Sequence, residues 1–322
     1  RNFLNFQRDW PSATIIKLEQ NYRSSKNIIS AASAVIKHNT LQTPKTLWTE
    51  NPTGEKVRLV AAEDPDTESV WIANEIRELR IKNKEASIGI LYRTNAQSRS
   101  IEQALISENI SYKIFGGLKF YDRKEIKDIL SALRFYINPA DSRSAQRLEK
   151  SLGKKVSKIV LAELPGLCEK LTTTELIQFF VEKSSYQTLL ETKFNNPQER
   201  LENIAELIVF AATFQTLEEF LERAALLQSA DAPVNEPLAT SSTRPTSAAP
   251  VNLMTIHIAK GLEFDYVFVI GCNEGMLPHE RSLERLETIE EERRLMYVAM
   301  TRARQGLYLL FHSFPSRFLY EI

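Results

Sequence analysis

The sequence predicts an α/β protein: a parallel-sheet domain interrupted by an inserted all-helical domain. Three observations predict it. Over the first third of the chain, short apolar runs of the kind buried in parallel sheets alternate with amphipathic helical patterns. From Tyr121 to about Ala230 the helical period runs on without clear strand alternation. After a stretch rich in Pro, Ser, Thr and Ala, the strand–helix alternation returns and ends on a buried strand.

Taken in order, Asn27–Asn39 reads as a helix, because Ile28, Ala31, Ala32, Val35 and Ile36 recur at helical spacing. Lys56–Glu63 reads as a strand. Asp66–Lys82 is a second helix, with Asp66 and Thr67 as candidate caps. Ser87–Tyr92 (SIGILY) is a short apolar strand, Ser98–Glu108 a helix, and Tyr112–Phe115 a strand ending at Gly116-Gly117. The middle holds helical patterns at Arg123–Tyr136, Thr174–Phe194, Gln198–Phe214 and Leu217–Gln228. Asp231–Pro250 (DAPVNEPLATSSTRPTSAAP) has too little apolar surface to order itself and reads as a flexible linker. Val251–Ile256, Tyr266–Ile270 and Gly306–Phe311 are strand-like, and Glu290–Arg304 is a charged amphipathic helix. The expected division is 1–140 and 250–322 for the α/β domain and 141–249 for the helical insertion, linker included.

Composition excludes some classes. The chain has 322 residues, 43% hydrophobic and 25% charged, as in an ordinary soluble protein of about two domains. No apolar run approaches the ~20 residues of a membrane helix. Cys168 and Cys272 lie far apart and no Cys/His cluster has zinc spacing, so a reducing cytoplasmic setting is expected and a structural disulfide is not. Lys+Arg and Asp+Glu are equal at 41 each, a balance compatible with a basic groove on a neutral surface. The chain opens Arg1-Asn2-Phe3, with neither an initiator Met nor a signal-peptide pattern, and reads as a piece of a longer protein.

Five segments could carry chemistry. Thr255–Glu263 (TIHIAKGLE) follows a strand, where open α/β sheets place ligands, and offers a hydroxyl, an imidazole, an ammonium and a carboxylate. Glu290–Arg304 (EEERRLMYVAMTRAR) brings several charges onto one helix and ends at Arg302 and Arg304; a solvated surface helix with ion pairs is the plain alternative. In Leu18–Ser25 (LEQNYRSS), Tyr22 and Arg23 precede a helix capped by Ser24 or Ser25, a natural place for a phosphate. Tyr92–Arg99 (YRTNAQSR) again lies just beyond a strand, with Arg and Asn suited to nucleic acid. Phe115–Asp128 (FGGLKFYDRKEIKD) has two glycines that permit close backbone approach. There Lys119 suits phosphate contact and Phe120 base stacking, unless Phe120 and Tyr121 are core.

One absence weighs against these segments acting alone. A phosphate loop needs G-x-x-x-x-G-K-[ST]. At Gly153-Lys154, Leu148 replaces the first glycine and Lys155 the hydroxyl residue, and nothing else matches. No acidic strand offers an evident Mg²⁺-binding Asp. By itself the chain is expected to hydrolyse ATP poorly.

In order and spacing the five segments resemble the C-terminal half of the UvrD/Rep/PcrA helicases of superfamily 1A. LEQNYRSS is similar to motif IV, YRTNAQSR to IVa, LMTIHIAKGLEF to motif V and EEERRLMYVAMTRAR to motif VI; the FGGLKFYDRKEIKD stretch resembles the conserved region after IVa. The likeness covers residues 1–140 and 250–320. It implies a RecA-like domain, 2A, interrupted by domain 2B. It implies that Tyr22 stacks on adenine and that Arg23 and Arg302 are arginine fingers on the γ-phosphate. It also implies that Glu263 accepts from the ribose, with Gly261 beside the nucleotide. Arg93, Asn95, Thr255 and His257 are implied contacts to single-stranded DNA, with Lys119 and Phe120 as weaker ones. The implied cofactor is ATP with Mg²⁺, whose ligands belong to an N-terminal half carrying domains 1A and 1B. The implied partners are those domains, single-stranded DNA and single/double-strand junctions, with 3′ to 5′ movement and no membrane.

Two features depart from the pattern. The insertion is short for a 2B domain, and Ile258 stands in motif V where a small polar residue is common. Two other readings stay open: a non-catalytic DNA- or protein-binding module on this fold, and a helicase–nuclease subunit of the RecB or AddA kind.

Overall fold

The computed structural model describes residues 10–14, 16–40, 46–167, 171–230 and 249–322. They form two compact units: one from residues 1–93, 108–116 and 245–322, the other from 94–107 and 117–244.

In chain order the elements are α1 (Lys26–Ile36), β1 (Arg58–Ala62), α2 (Pro65–Lys82), β2 (Ile88–Tyr92), α3 (Ser98–Ser107), β3 (Tyr112–Ile114) and α4 (Lys124–Ile137). Then come α5 (Ser142–Leu152), α6 (Lys154–Glu163), α7 (Thr173–Lys183), α8 (Tyr186–Lys193), α9 (Pro197–Ala211) and α10 (Leu217–Ala230). The chain closes with β4 (Val251–Thr255), β5 (Phe264–Val269), α11 (Leu286–Met300) and β6 (Ala303–His312).

The first unit is built on one sheet of six strands among the described residues, in the order β1-β6-β5-β2-β4-β3, with every neighbouring pair parallel. β2 lies between β5 and β4, and all five of its residues are buried. That is why it reads as a continuous apolar run. Ile28, Ala32 and Val35 of α1 share one core with Val267 and Val269 of β5 and Met296 and Ala299 of α11. Helix α2 begins earlier than expected. Its cap is Asp64, whose carboxylate accepts from Thr67 N at 2.7 Å, and Pro65 takes the first helical position, where its missing N–H costs nothing.

The second unit is helical and has its own core, with Phe120, Leu133, Leu148, Phe180, Tyr186, Leu207 and Phe220 in one cluster. Two breaks shape it. Gly153, at φ +84, separates α5 from α6. Ser185, at φ +49, splits the single helix expected over 174–194 into α7 and α8. The unit also takes more of the chain than expected. Residues 94–107 and 117–140 were assigned to the α/β domain, yet they group with the helices. The cause is the apolar face of α4, whose Ile126, Ile129, Leu130 and Leu133 are buried in the helical core. Most of the expected linker, residues 231–248, lies outside the described residues, as does Cys168; Cys272 is a free, buried thiol. Among the described residues no helix is long and apolar enough to cross a membrane.

Candidate functional site

In the α/β unit, motif-like segments far apart in sequence are laced together. Asn21 starts the arrangement: its Oδ1 accepts from Arg23 N and Ser24 N at 2.9 and 2.8 Å, a tight turn that Asn favours. The turn aims three successive residues at the chain leaving α11. Arg23 Nη1 donates to Thr301 O (3.1 Å), Ser24 Oγ to Ala303 O (2.6 Å) and Ser25 N to Arg304 O (3.1 Å). This ladder explains why α11 stops at Met300 and does not run to Arg304. Backbone pairing takes over from there, with Phe264 N donating to Arg302 O and Ala303 in register with Phe264.

The result is a cleft of about 890 Å³ lined by Gln20, Asn21, Tyr22, Arg23, Ser25, Glu263, Arg304 and neighbouring residues. The Tyr22 ring is 78% exposed, and its hydroxyl donates to Gln20 Oε1 at 2.7 Å. An aromatic face held this open can stack on a planar ligand. Arg23 Nε donates to Glu263 Oε2 at 2.6 Å, while Arg304 Nη2 donates to Glu263 Oε1. These two guanidiniums hold the Glu263 carboxyl below the ordinary carboxylate range, Arg23 contributing most. Gly261, in the loop before Glu263, has φ +94, a conformation that favours glycine. Ser25 is 95% buried at the cleft wall, and its hydroxyl has no hydrogen-bond partner among the described residues.

Arg302 is not among the residues lining this cleft. Its Nε donates to Val298 O (2.9 Å), Nη1 to Leu262 O (3.2 Å) and Nη2 to Thr301 Oγ1 (3.2 Å). Burial pulls its pKa down, and the charge of Arg23 adds to the effect. Two guanidiniums near enough to repel form a place where an anion is favoured. The helix start is not such a place, contrary to expectation. The N–H groups of Ser25, Lys26 and Asn27 already donate to Arg304 O, Pro52 O and Thr53 O.

A second group gathers at the carboxyl ends of β2 and β4. Tyr92 is in register with Thr255, and Ile256 N donates to Tyr92 O, so Arg93 and Thr255–His257 leave the sheet side by side. His257 is exposed. The Arg93 guanidinium makes a two-pronged contact with the buried Glu292, at 2.9 Å (Nε–Oε2) and 2.8 Å (Nη2–Oε1). Arg93→Ala is therefore expected to lower stability by about 2 kcal/mol, because it strips a charge-assisted pair from a buried carboxylate. Urea unfolding measures this, and an unchanged midpoint would refute it. Beside this group, Gly116 has φ +71, and a Cβ there would come within 1.9 Å of Ile258 Cδ1. Ile258 thus fills the space that a glycine leaves. Gly116→Ala should cost about 1–2 kcal/mol from the left-handed backbone alone. Ile258→Ala in the same chain should relieve only the clash, a partial recovery readable as Tm.

The remaining candidates belong to the helical unit. Asn95 Nδ2 lies 3.4 Å from Glu199 Oε2, and its carbonyl accepts from Arg123 Nη1 at 3.0 Å. Lys119 is half-buried and precedes a short 3₁₀ turn. Phe120 corrects the expectation of a base-stacking ring. It is fully buried, edge-on to Tyr121 at 5.2 Å and beneath the Arg123 guanidinium at 5.1 Å. A ring without exposed faces cannot receive a base. Gln20, Arg304 and Glu292 have no assigned role in the sequence reading, and Ser25 enters it only as a candidate helix cap. Glu292 had no distinguishing signal, being one of three consecutive glutamates. Among the described residues no three carboxylate, histidine or cysteine side chains converge as metal ligands.

A model of the UvrD-like helicase C-terminal domain matches residues 16–192 and 169–313. The chain is 38% identical to the ATP-dependent DNA helicase PcrA of Bacillus subtilis, over 96% of this chain and 48% of that protein. It is 35% identical to DNA helicase II of Rickettsia typhi, over 100% of this chain and 56% of that protein. That second alignment runs over 379 positions for 322 residues here, so the relative carries segments that this chain lacks. The crystal structure of the C-terminal domain of a possible DNA helicase from Lactobacillus superposes with a TM-score of 0.41 at 12% identity, covering 94% of each chain. The chain spans about half the length of the curated relatives it matches. With the family model covering well over half of its residues, the chain belongs to the UvrD-like helicase C-terminal domain family.

Proposed function

We propose that this chain is the C-terminal motor half of an ATP-dependent DNA helicase that moves 3′ to 5′ on single-stranded DNA. The α/β unit acts as domain 2A and the helical unit as domain 2B. The observation that carries the reading is the cleft in which the open face of Tyr22, the Arg23 guanidinium and the Glu263 carboxylate meet. Those three groups match the base, the phosphates and the ribose of ATP.

In this reading Tyr22 stacks on the adenine, Glu263 accepts from the ribose, and Arg23 and Arg302 neutralise charge on the γ-phosphate during transfer. Gly261 keeps the loop before Glu263 in the shape that presents it. The phosphate loop and the Mg²⁺ ligands come from the 1A and 1B domains of the same protein, so this chain alone turns over little ATP. Mg²⁺ bound there would offset phosphate charge. Closing and opening of the two halves would alternate the grip on DNA. Thr255, His257 and Asn95 contact the single strand directly, with Lys119 a weaker contact. Arg93 does so from its place beside Glu292. Single/double-strand junctions are the expected substrates.

The test is DNA-dependent ATP hydrolysis by the full-length protein carrying Arg23→Ala or Arg302→Ala. Near-normal turnover in both variants would overturn the reading.

A further inference from the structure

Two guanidiniums, those of Arg23 and Arg304, line the cleft, whereas the expected chemistry uses Arg23 and Arg302, which is not among the lining residues. Arg304 is left without a role. It sits at the start of β6, lines the same cavity as Tyr22 and Arg23, and has a side chain 44% exposed. Its backbone is fixed against the start of α1, because Arg304 O accepts from Ser25 N. The root of the side chain is therefore held at the cleft wall.

Its partners leave it available. Glu263 is shared: Oε2 serves Arg23 and Oε1 serves Arg304, one carboxylate for two cations. Asp265 is 3.8 Å away, and its oxygens already accept from Ser87 N, Ser87 Oγ and Gln305 Nε2. An ion pair this exposed contributes little, so exchanging it costs little. A phosphate offers the guanidinium a stronger, two-pronged partner. Arg302, by contrast, is tied by three hydrogen bonds within its own wall.

We propose that Arg304 is a further nucleotide-contacting residue: it binds the ribose-proximal phosphate of ATP, in exchange for the half of Glu263 that it holds. The position follows from the carboxylate between them. Arg23 and Arg304 approach opposite oxygens of Glu263. With Glu263 on the ribose and Arg23 reaching toward the γ-phosphate, Arg304 falls at the end of the phosphate chain that ATP and ADP have in common. This rests on the reading of the cleft as an ATP site.

The experiment is calorimetric titration of the full-length protein with Mg·ADP and with a non-hydrolysable Mg·ATP analogue. Arg304→Ala should weaken both about tenfold, Arg304→Lys should recover part of the loss, and Arg23→Ala should weaken the triphosphate more than the diphosphate. Thermal melts confirm that each variant is folded. Unchanged affinities in Arg304→Ala, with Arg23→Ala still impaired, would overturn the proposal and leave the ATP site standing. A loss confined to the triphosphate would overturn the assigned contact and make Arg304 a γ-phosphate residue. A loss that vanishes in a Glu263→Gln background would mean that Arg304 only positions Glu263, and would equally overturn direct contact. If Arg23→Ala and Arg302→Ala are both silent in turnover as well, the ATP site itself fails.

Discussion

If Arg302 acts as proposed, Arg302→Ala in the full-length protein is expected to lower DNA-stimulated ATP turnover roughly 10³-fold or more, and Arg302→Lys to recover little of it. The reason lies in how the guanidinium is held. Three of its N–H groups are spent on Val298 O, Leu262 O and Thr301 Oγ1, which locks the plane of the fork. In the proposed role the two that remain would present a fixed charge without reorganisation at the moment of transfer. A lysine carries one compact ammonium on a flexible stem and cannot occupy three tethers and still reach a phosphate. Burial and the nearby charge of Arg23 both disfavour a second cation there, so the site is under electrostatic tension that an anion relieves. Steady-state turnover at saturating DNA is the measurement. A lysine variant with near-native turnover would show that charge alone suffices and that the tethers are incidental.

Phe120→Ala is expected to destabilise the helical unit by about 3–5 kcal/mol, the usual range for deleting a buried aromatic side chain. The ring is fully enclosed and is contacted by Tyr121 and by the Arg123 guanidinium. The loss should reach beyond apolar contact. Arg123 also donates to Asn95 O, Leu118 O, Asn203 Oδ1 and Ser98 Oγ, and Phe120 N donates to Glu102. A cavity under that guanidinium loosens a network that ties residues 94–107 to α9. Urea unfolding followed by far-UV circular dichroism reads the change, and Phe120→Leu should cost less because it refills most of the volume. If Phe120→Ala instead unfolds like the parent chain and loses affinity for single-stranded DNA, the ring is a base platform after all.

These two residues mark the limits of what is legible without a structure. Arg302 sits in a segment whose charges and order are recognisable at sight. Phe120 does not, because Lys-Phe-Tyr suits a nucleic-acid surface and a core turn equally well. Only the packing of α4 and α10 around it decides. The same holds for the unit boundary. Helical period identifies α4 as a helix, but period does not say which core its apolar face joins. Arg304 was hidden for a related reason. Read as the last turn of a helix, it faces solvent; as the start of β6, backbone pairing with Ser25 brings it to the cleft wall.

What the sequence by itself determined was the alternation of buried strands and helices and the helical insertion, for which local patterns suffice; Tyr22, Arg23, Glu263 and Arg302 are named together only through the resemblance of their segments to the helicase motifs. Tertiary structure alone decided that Glu263 is divided between Arg23 and Arg304, that the start of α1 is closed to phosphate by Pro52 and Thr53 carbonyls, and that Arg93 is held by Glu292. Each of those joins residues distant along the chain. Short-range spacing carries no information about such pairs, because the sheet order, not the sequence interval, sets the distance between them.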